Sequence, residues 1–220
     1  MVKLSKLRRS IMVLCIAFIL CFCCPSGNSA HAVSDSVSLS YWYATGETDI
    51  WYSSVPIYAR CYDNELGFYV NLYPALMSGV NRWNSAGFLP FSISRVTVDE
   101  NVRFYGGTSS YLKSAFPAIT DNTEGYAPIV EPSSSTAASY SGATKTIYEF
   151  DGTNIRKVAI IDKGSTSAQY QIVGAHEMGH VLGWYGHTSD PTQLMYGQAT
   201  ATAVMTKDIL HIKQVYDALY

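Results

Sequence analysis

Residues 176 to 187 read HEMGHVLGWYGH, and no other stretch of this 220-residue chain limits its fold so sharply. Three of the five histidines fall within these twelve residues, at His176, His180 and His187. Side chains four apart on an α-helix lie on one face, a single turn from each other. A helix across this stretch therefore aims His176 and His180 at one point, which suits a metal ion. Zinc takes four ligands, and a catalytic site leaves one of those places to water. Glu177 stands beside the first histidine, placed to accept a proton from such a water. Gly183 offers the left-handed conformation that commonly ends helices, and the chain beyond it brings round His187 as the third ligand. A structural zinc site would ask for a fourth protein ligand and favour cysteine. Cys61 is the one cysteine outside the N-terminal segment, far away in sequence.

At these residues the chain resembles the metzincin metallopeptidases, most closely the catalytic domain of the matrix metalloproteinases, or matrixins. The metzincin pattern HExxHxxGxxH is met by His176, Glu177, His180 and Gly183. Its last histidine would fall at Gly186, and here it comes one residue later as His187, with Asp190 as the alternative third ligand. The segment HTSDPTQLMYG, from His187 to Gly197, resembles the family's methionine turn, with Met195 as the turn methionine. In the family that methionine forms an apolar floor beneath the zinc. VPIYARCY (55–62) resembles the first strand of the matrixin domain, LMSGVNRWNSAGFLPF (76–91) its first helix and the strand that follows, and MTKDILHIKQVYDALY (205–220) its last helix.

The resemblance implies an α+β, zincin-like fold over residues 50 to 220. Its parts are a twisted mixed five-stranded sheet, two long helices, a C-terminal helix and the methionine turn. It also implies a zinc-dependent endopeptidase, with Glu177 catalytic and one zinc held by His176, His180 and His187. The substrate would be a protein or peptide lying extended along an edge strand. Residues 127 to 161 would form the upper rim of the cleft. The loop from 196 to 206 would border the pocket for the side chain after the cleaved bond. The alternative is a non-catalytic peptide- or protein-binding module on the same scaffold. Family members often carry a second zinc held by histidines, but residues 32 to 175 contain no histidine. No motif in the sequence supports calcium as a further cofactor. Asp162 and Asp190 are its nearest candidates here, though each reads first as a turn residue or a partner for a ligand histidine.

The N-terminus has the form of a secretory signal. Lys3, Lys6, Arg8 and Arg9 precede an apolar run from Ile11 to Cys24, and Ala30-His31-Ala32 supplies a small-x-small cleavage site. Residues 1–32 are expected to be removed, 33–49 to form a polar lead-in, and the product to be secreted, with retention at the cell surface by a lipid on Cys21, Cys23 or Cys24 or by an uncleaved signal anchor as the alternatives. The apolar run is too short for a stable membrane span. Four of the fifteen Lys and Arg lie in this segment and none of the seventeen acids, so the remainder carries a formal charge of −6. That balance, with no basic patch, argues against a nucleic-acid partner. Four of the five cysteines also lie there, so the remainder has no internal disulfide, and Cys61 reads as a buried thiol. One monomeric domain is expected for a remainder of this length.

Along that domain, residues 54–62, 89–98, 101–106, 125–130 and 156–162 read as strands or extended segments. Residues 72–86 read as a helix with Leu76, Val80 and Trp83 on one face. Residues 131–145, EPSSSTAASYSGATK, read as a loop. Ser165 or Ser167 is the expected N-cap of the histidine-bearing helix, and Thr206 that of the last helix. His211 reads as a surface or packing histidine, and Tyr196 as packing beside Met195.

Overall fold

The computed structural model describes residues 48–51, 55–61, 72–89, 91–128, 134–140, 143–150, 155–184 and 186–217. The expected signal segment and nearly all of the lead-in fall outside these residues. In chain order the elements are β1 (Thr48–Trp51), β2 (Val55–Cys61), α1 (Leu72–Ala86), β3 (Ile93–Arg95), β4 (Val102–Gly107) and α2 (Ser109–Leu112). They continue with β5 (Gly125–Tyr126), β6 (Ser134–Tyr140), β7 (Ala143–Phe150), β8 (Arg156–Ile161), α3 (Ser167–Val181) and α4 (Thr206–Asp217). Among the described residues no helix is long and apolar enough to cross a membrane.

The main sheet runs in the order β3-β2-β4-β8-β5. Its first three pairings are parallel, and β5 joins β8 antiparallel at the far edge. The sheet is therefore mixed, and helices pack against it in an α+β arrangement. Alternation along β8 shows why both of its faces are dry. Val158 and Ile160 point into the principal core, while Ala159 and Ile161 point into a second cluster with Leu112, Phe116 and Ile119. Parallel strands covered on both sides read as continuous apolar runs, as VAII does here.

The principal core lies between this sheet and helices α1 and α3. Leu76, Val80 and Trp83, the predicted face of α1, are all buried. Each large apolar side chain so buried contributes about 1.5–3 kcal/mol. The two helices cross closely because Gly79 has no side chain. A Cβ there would stand 2.1 Å from Gln171 O. The Trp83 indole N–H then reaches Ala175 O at 2.7 Å, tying α1 to the middle of α3.

Several expectations are corrected. Among the described residues, the strand predicted over 89–98 is confined to Ile93–Arg95. Pro90 lacks a donor, and the Asn84 side chain engages both backbone polar groups of Ile93 at 2.7 Å. The loop predicted over 131–145 instead contains β6 and the start of β7. These pair antiparallel from Ser134–Glu149 to Tyr140–Ala143 and form a separate sheet with β1. Thr166, between the two serines proposed, is the N-cap of α3, its hydroxyl accepting Gln169 N–H at 3.3 Å. Thr206 is the first residue of α4 rather than its cap. Cys61 closes β2, and its side chain lies outside the described residues.

Candidate metal centre

Helix α3 is apolar around nearly its whole circumference, so it runs through the core rather than over it. Its last two turns carry His176, Glu177 and His180. The helix caps at Leu182, and Gly183 follows with φ 115°, a left-handed value that a side chain would strain. Gly183 N–H bonds His180 O at 3.2 Å and Trp184 N–H bonds Gly179 O at 2.9 Å, folding the chain back over its own last turn. Gly186, at φ 69°, makes a second turn just before His187.

This path brings the three histidines together. His176 Nε2 lies 3.2 Å from His180 Nε2 and 3.1 Å from His187 Nε2. One ligand atom from each ring lies within 4.8 Å of the others, the only such metal-capable group of three or more among the described residues. The opposite ring nitrogens determine what these atoms are. His176 Nδ1 donates to Leu194 O at 2.8 Å, and His180 Nδ1 donates to Trp184 O at 2.8 Å. A carbonyl only accepts, so in both rings the proton sits on Nδ1 and Nε2 presents a lone pair. Burial also opposes the doubly protonated form, holding His176 at about 4 and His180 at about 3, with His187 also lowered.

Lone pairs facing each other at this distance repel unless a cation lies between them. Zinc–nitrogen bonds of ~2.0–2.1 Å in tetrahedral geometry set the nitrogens roughly 3.3 Å apart, close to the separations found. The donor set, its tautomers and its spacing therefore fit zinc.

Glu177 is buried beside this cluster. Desolvation raises its carboxyl to about 8, and the backbone N–H of Ala127 opposes that rise. Strand β5 passes directly over it, so close that a Cβ on Gly125 would stand 2.5 Å from Glu177 Oε1. The edge strand of the main sheet and the acid thus meet at one place.

Met195 is fully buried, with Thr188 N–H on its carbonyl at 3.0 Å. Its thioether lies against Gly179, the residue before His180. Asp190 does not join the histidines. Oδ1 accepts from Thr192 N and Oγ1 (3.0 and 2.6 Å), and Oδ2 from Gln193 Nε2 and Lys207 Nζ (3.1 and 3.2 Å). Asp162 takes the Tyr170 hydroxyl and, at 2.9 Å, the Gly164 N–H, as a turn residue does. His211 is a packing histidine, buried with its ring centroid 4.0 Å from that of Trp184. Tyr196 is half-buried, and its N–H closes the turn on Gln193 O at 3.2 Å.

Asp208 was not legible as a site residue. Its buried carboxylate accepts the N–H groups of Leu194, Met195 and Met205 at 2.9, 3.2 and 2.8 Å. It joins the methionine turn to α4 and so supports Leu194 O, the acceptor that orients His176. The available signal was an acid three residues after Met205 at a helix start, where it can reach back to the N-cap amide.

No curated protein matches this chain. The profile of the matrixin peptidase family matches residues 77–217, well over half of the sequence and inclusive of the whole histidine cluster. With the glycine turn, the three convergent imidazoles and the methionine turn in place, the chain belongs to the matrixin family.

Proposed function

We propose that this protein is a secreted, zinc-dependent endopeptidase. The observation that carries the reading is the convergence of three Nε2 atoms, two of them held as lone-pair donors by backbone carbonyls. His176, His180 and His187 would hold the ion. Zinc bound there would polarise a scissile carbonyl and supply a water of lowered pKa. With the cation beside it favouring its ionised form, the Glu177 carboxylate would accept the proton of the attacking water and deliver it to the leaving amine. The Ala127 N–H steadies the ionised form of that carboxylate. Among the described residues β5 ends the sheet order, and an extended peptide would add at that edge as a further strand. Such a peptide would pass next to Glu177 because β5 does. Met195 gives the centre a buried, apolar underside.

The test is cleavage of a mixed peptide library by the zinc-loaded protein, with a chelator control. Internal cleavage that the chelator abolishes and zinc restores supports the reading, and Glu177→Gln should bind zinc and cleave nothing. A wild-type protein that binds zinc without cleaving any peptide would instead be a binding module on this scaffold.

A further inference from the structure

The last carbonyls of an α-helix have no partner within it and must find one elsewhere. At the end of α3 they are met by side chains from three distant elements. Val181 O accepts the Trp51 indole N–H and Arg156 Nη1, each at 2.8 Å. The neighbouring Leu182 O accepts the Tyr216 hydroxyl at 2.8 Å. Trp51, Arg156 and Tyr216 are all buried, at 2, 4 and 2% exposure. An arginine so far from solvent is unusual, and its place here has an electrostatic reason, since the C-terminal end of a helix dipole is negative.

The helix end held in this way is the start of the path that assembles the histidine cluster. Trp184, three residues beyond Val181, supplies the carbonyl that fixes His180 Nδ1. Its own N–H returns to Gly179 O at 2.9 Å, so its position depends on where the last turn of α3 stops. His187 follows three residues later. Arg156 is itself fixed to the sheet, its N–H on Asn101 O at 2.8 Å and its backbone in register with Val102. The main sheet therefore reaches the exit of the ligand-bearing helix through one guanidinium.

We propose that Arg156 is a positioning residue for the metal centre, fixing the exit of α3 so that Trp184 O orients His180 and the returning chain presents His187. The proposal rests on the reading of the histidines as zinc ligands, and it makes no use of peptidase activity.

The test uses the full chain with Arg156→Met, which keeps an apolar stem and removes the donors, and Arg156→Lys, which keeps the charge and a donor. Two properties are measured: zinc affinity by competition with a chromogenic chelator, and the ligand-field absorption of the cobalt(II)-loaded protein. Loss of a group that orients a ligand costs about 10–100-fold in metal affinity. Arg156→Met should show a loss of that order with altered cobalt bands, and Arg156→Lys should recover most of it.

Folded Arg156→Met protein with wild-type zinc affinity and an unchanged cobalt spectrum would overturn the proposal. If Arg156→Met does not fold, Arg156→Gln, which removes the guanidinium but keeps a polar side chain, applies the same test at the same position. Weakened zinc binding with shifted bands then supports the proposal, and unaltered binding and bands overturn it. Wild-type protein that binds zinc but cleaves no peptide defeats the peptidase reading alone, because both readouts here report the metal.

Discussion

Asp208 and Leu194 are joined by a hydrogen bond of 2.9 Å from the Leu194 N–H to a carboxylate with no solvent exposure. The carbonyl of the same Leu194 receives His176 Nδ1 at 2.8 Å, so a single residue passes order from α4 to the metal centre. Hydrogen bonds to a charged group are worth about 1.5–3 kcal/mol each, less when partners are shared. Asp208→Ala should lower stability by roughly 3 kcal/mol and weaken zinc binding in the surviving folded fraction. Chemical denaturation and chelator competition measure the two effects. A variant within experimental error of wild type in both would remove Asp208 from the support of His176.

Gly179 stands between the two helical histidines, where the thioether of Met195 occupies the space a side chain would need. A Cβ there would lie 2.3 Å from Met195 Sδ and 2.8 Å from Trp83 Cζ2. Overpacking of this kind costs about 1–3 kcal/mol. Gly179→Ala should lower the thermal midpoint accordingly, and adding Met195→Ala should restore part of the loss. Additive losses in the double variant would show that the two residues do not compete for one space.

Gly125 meets Glu177 rather than the histidines. A Cβ would approach Glu177 Oε1 to 2.5 Å and Cγ to 2.7 Å. Gly125→Ala should therefore displace the acid while leaving the ligand rings in place. The expected result is a fall in kcat/KM of at least about tenfold, since general acid–base catalysis contributes 10²–10⁴, with zinc affinity near that of wild type. Equal losses in both quantities would place the damage in the fold.

Much of this site was legible because its chemistry is local. Two histidines one helical turn apart, and a glycine after them, declare their geometry within a few residues. Leu76, Val80 and Trp83 likewise declared the buried face of α1. What was missed depends on partners distant in the chain. The serine- and alanine-rich segment 134–140 carries little strand signal, and its pairing with β7 defines it. Asp208 is an acid in the first turn of a helix, and nothing near it in sequence points to Leu194 and Met195, which lie more than ten residues away. Among Ser165, Thr166 and Ser167 the capping chemistry is nearly equivalent. The turn at Gly164, φ 68°, and the Tyr170 hydroxyl on Ser165 N–H at 3.0 Å place the cap at Thr166.

His211 gives an acid-side prediction. Burial lowers its pKa to about 3 from the ordinary 6.5, so the folded protein keeps it neutral where the unfolded chain would protonate it. Its contribution to stability is complete above pH 6.5 and is lost as pH falls from there through about 3. The slope for one proton is at most about 1.4 kcal/mol per pH unit. Acid unfolding of His211→Phe should show a shallower pH dependence in this window than wild type, measured by denaturant titration at several pH values. An unchanged slope would mean that His211 is not protonated differently in the two states.

The most direct test of the central claim is X-ray absorption at the zinc edge of the zinc-loaded protein, alongside His187→Ala. The arrangement of His176, His180 and His187 predicts one zinc per chain with three imidazole nitrogens at ~2.0–2.1 Å, falling to two in the variant. A zinc environment containing sulfur, or one unchanged by His187→Ala, would contradict it.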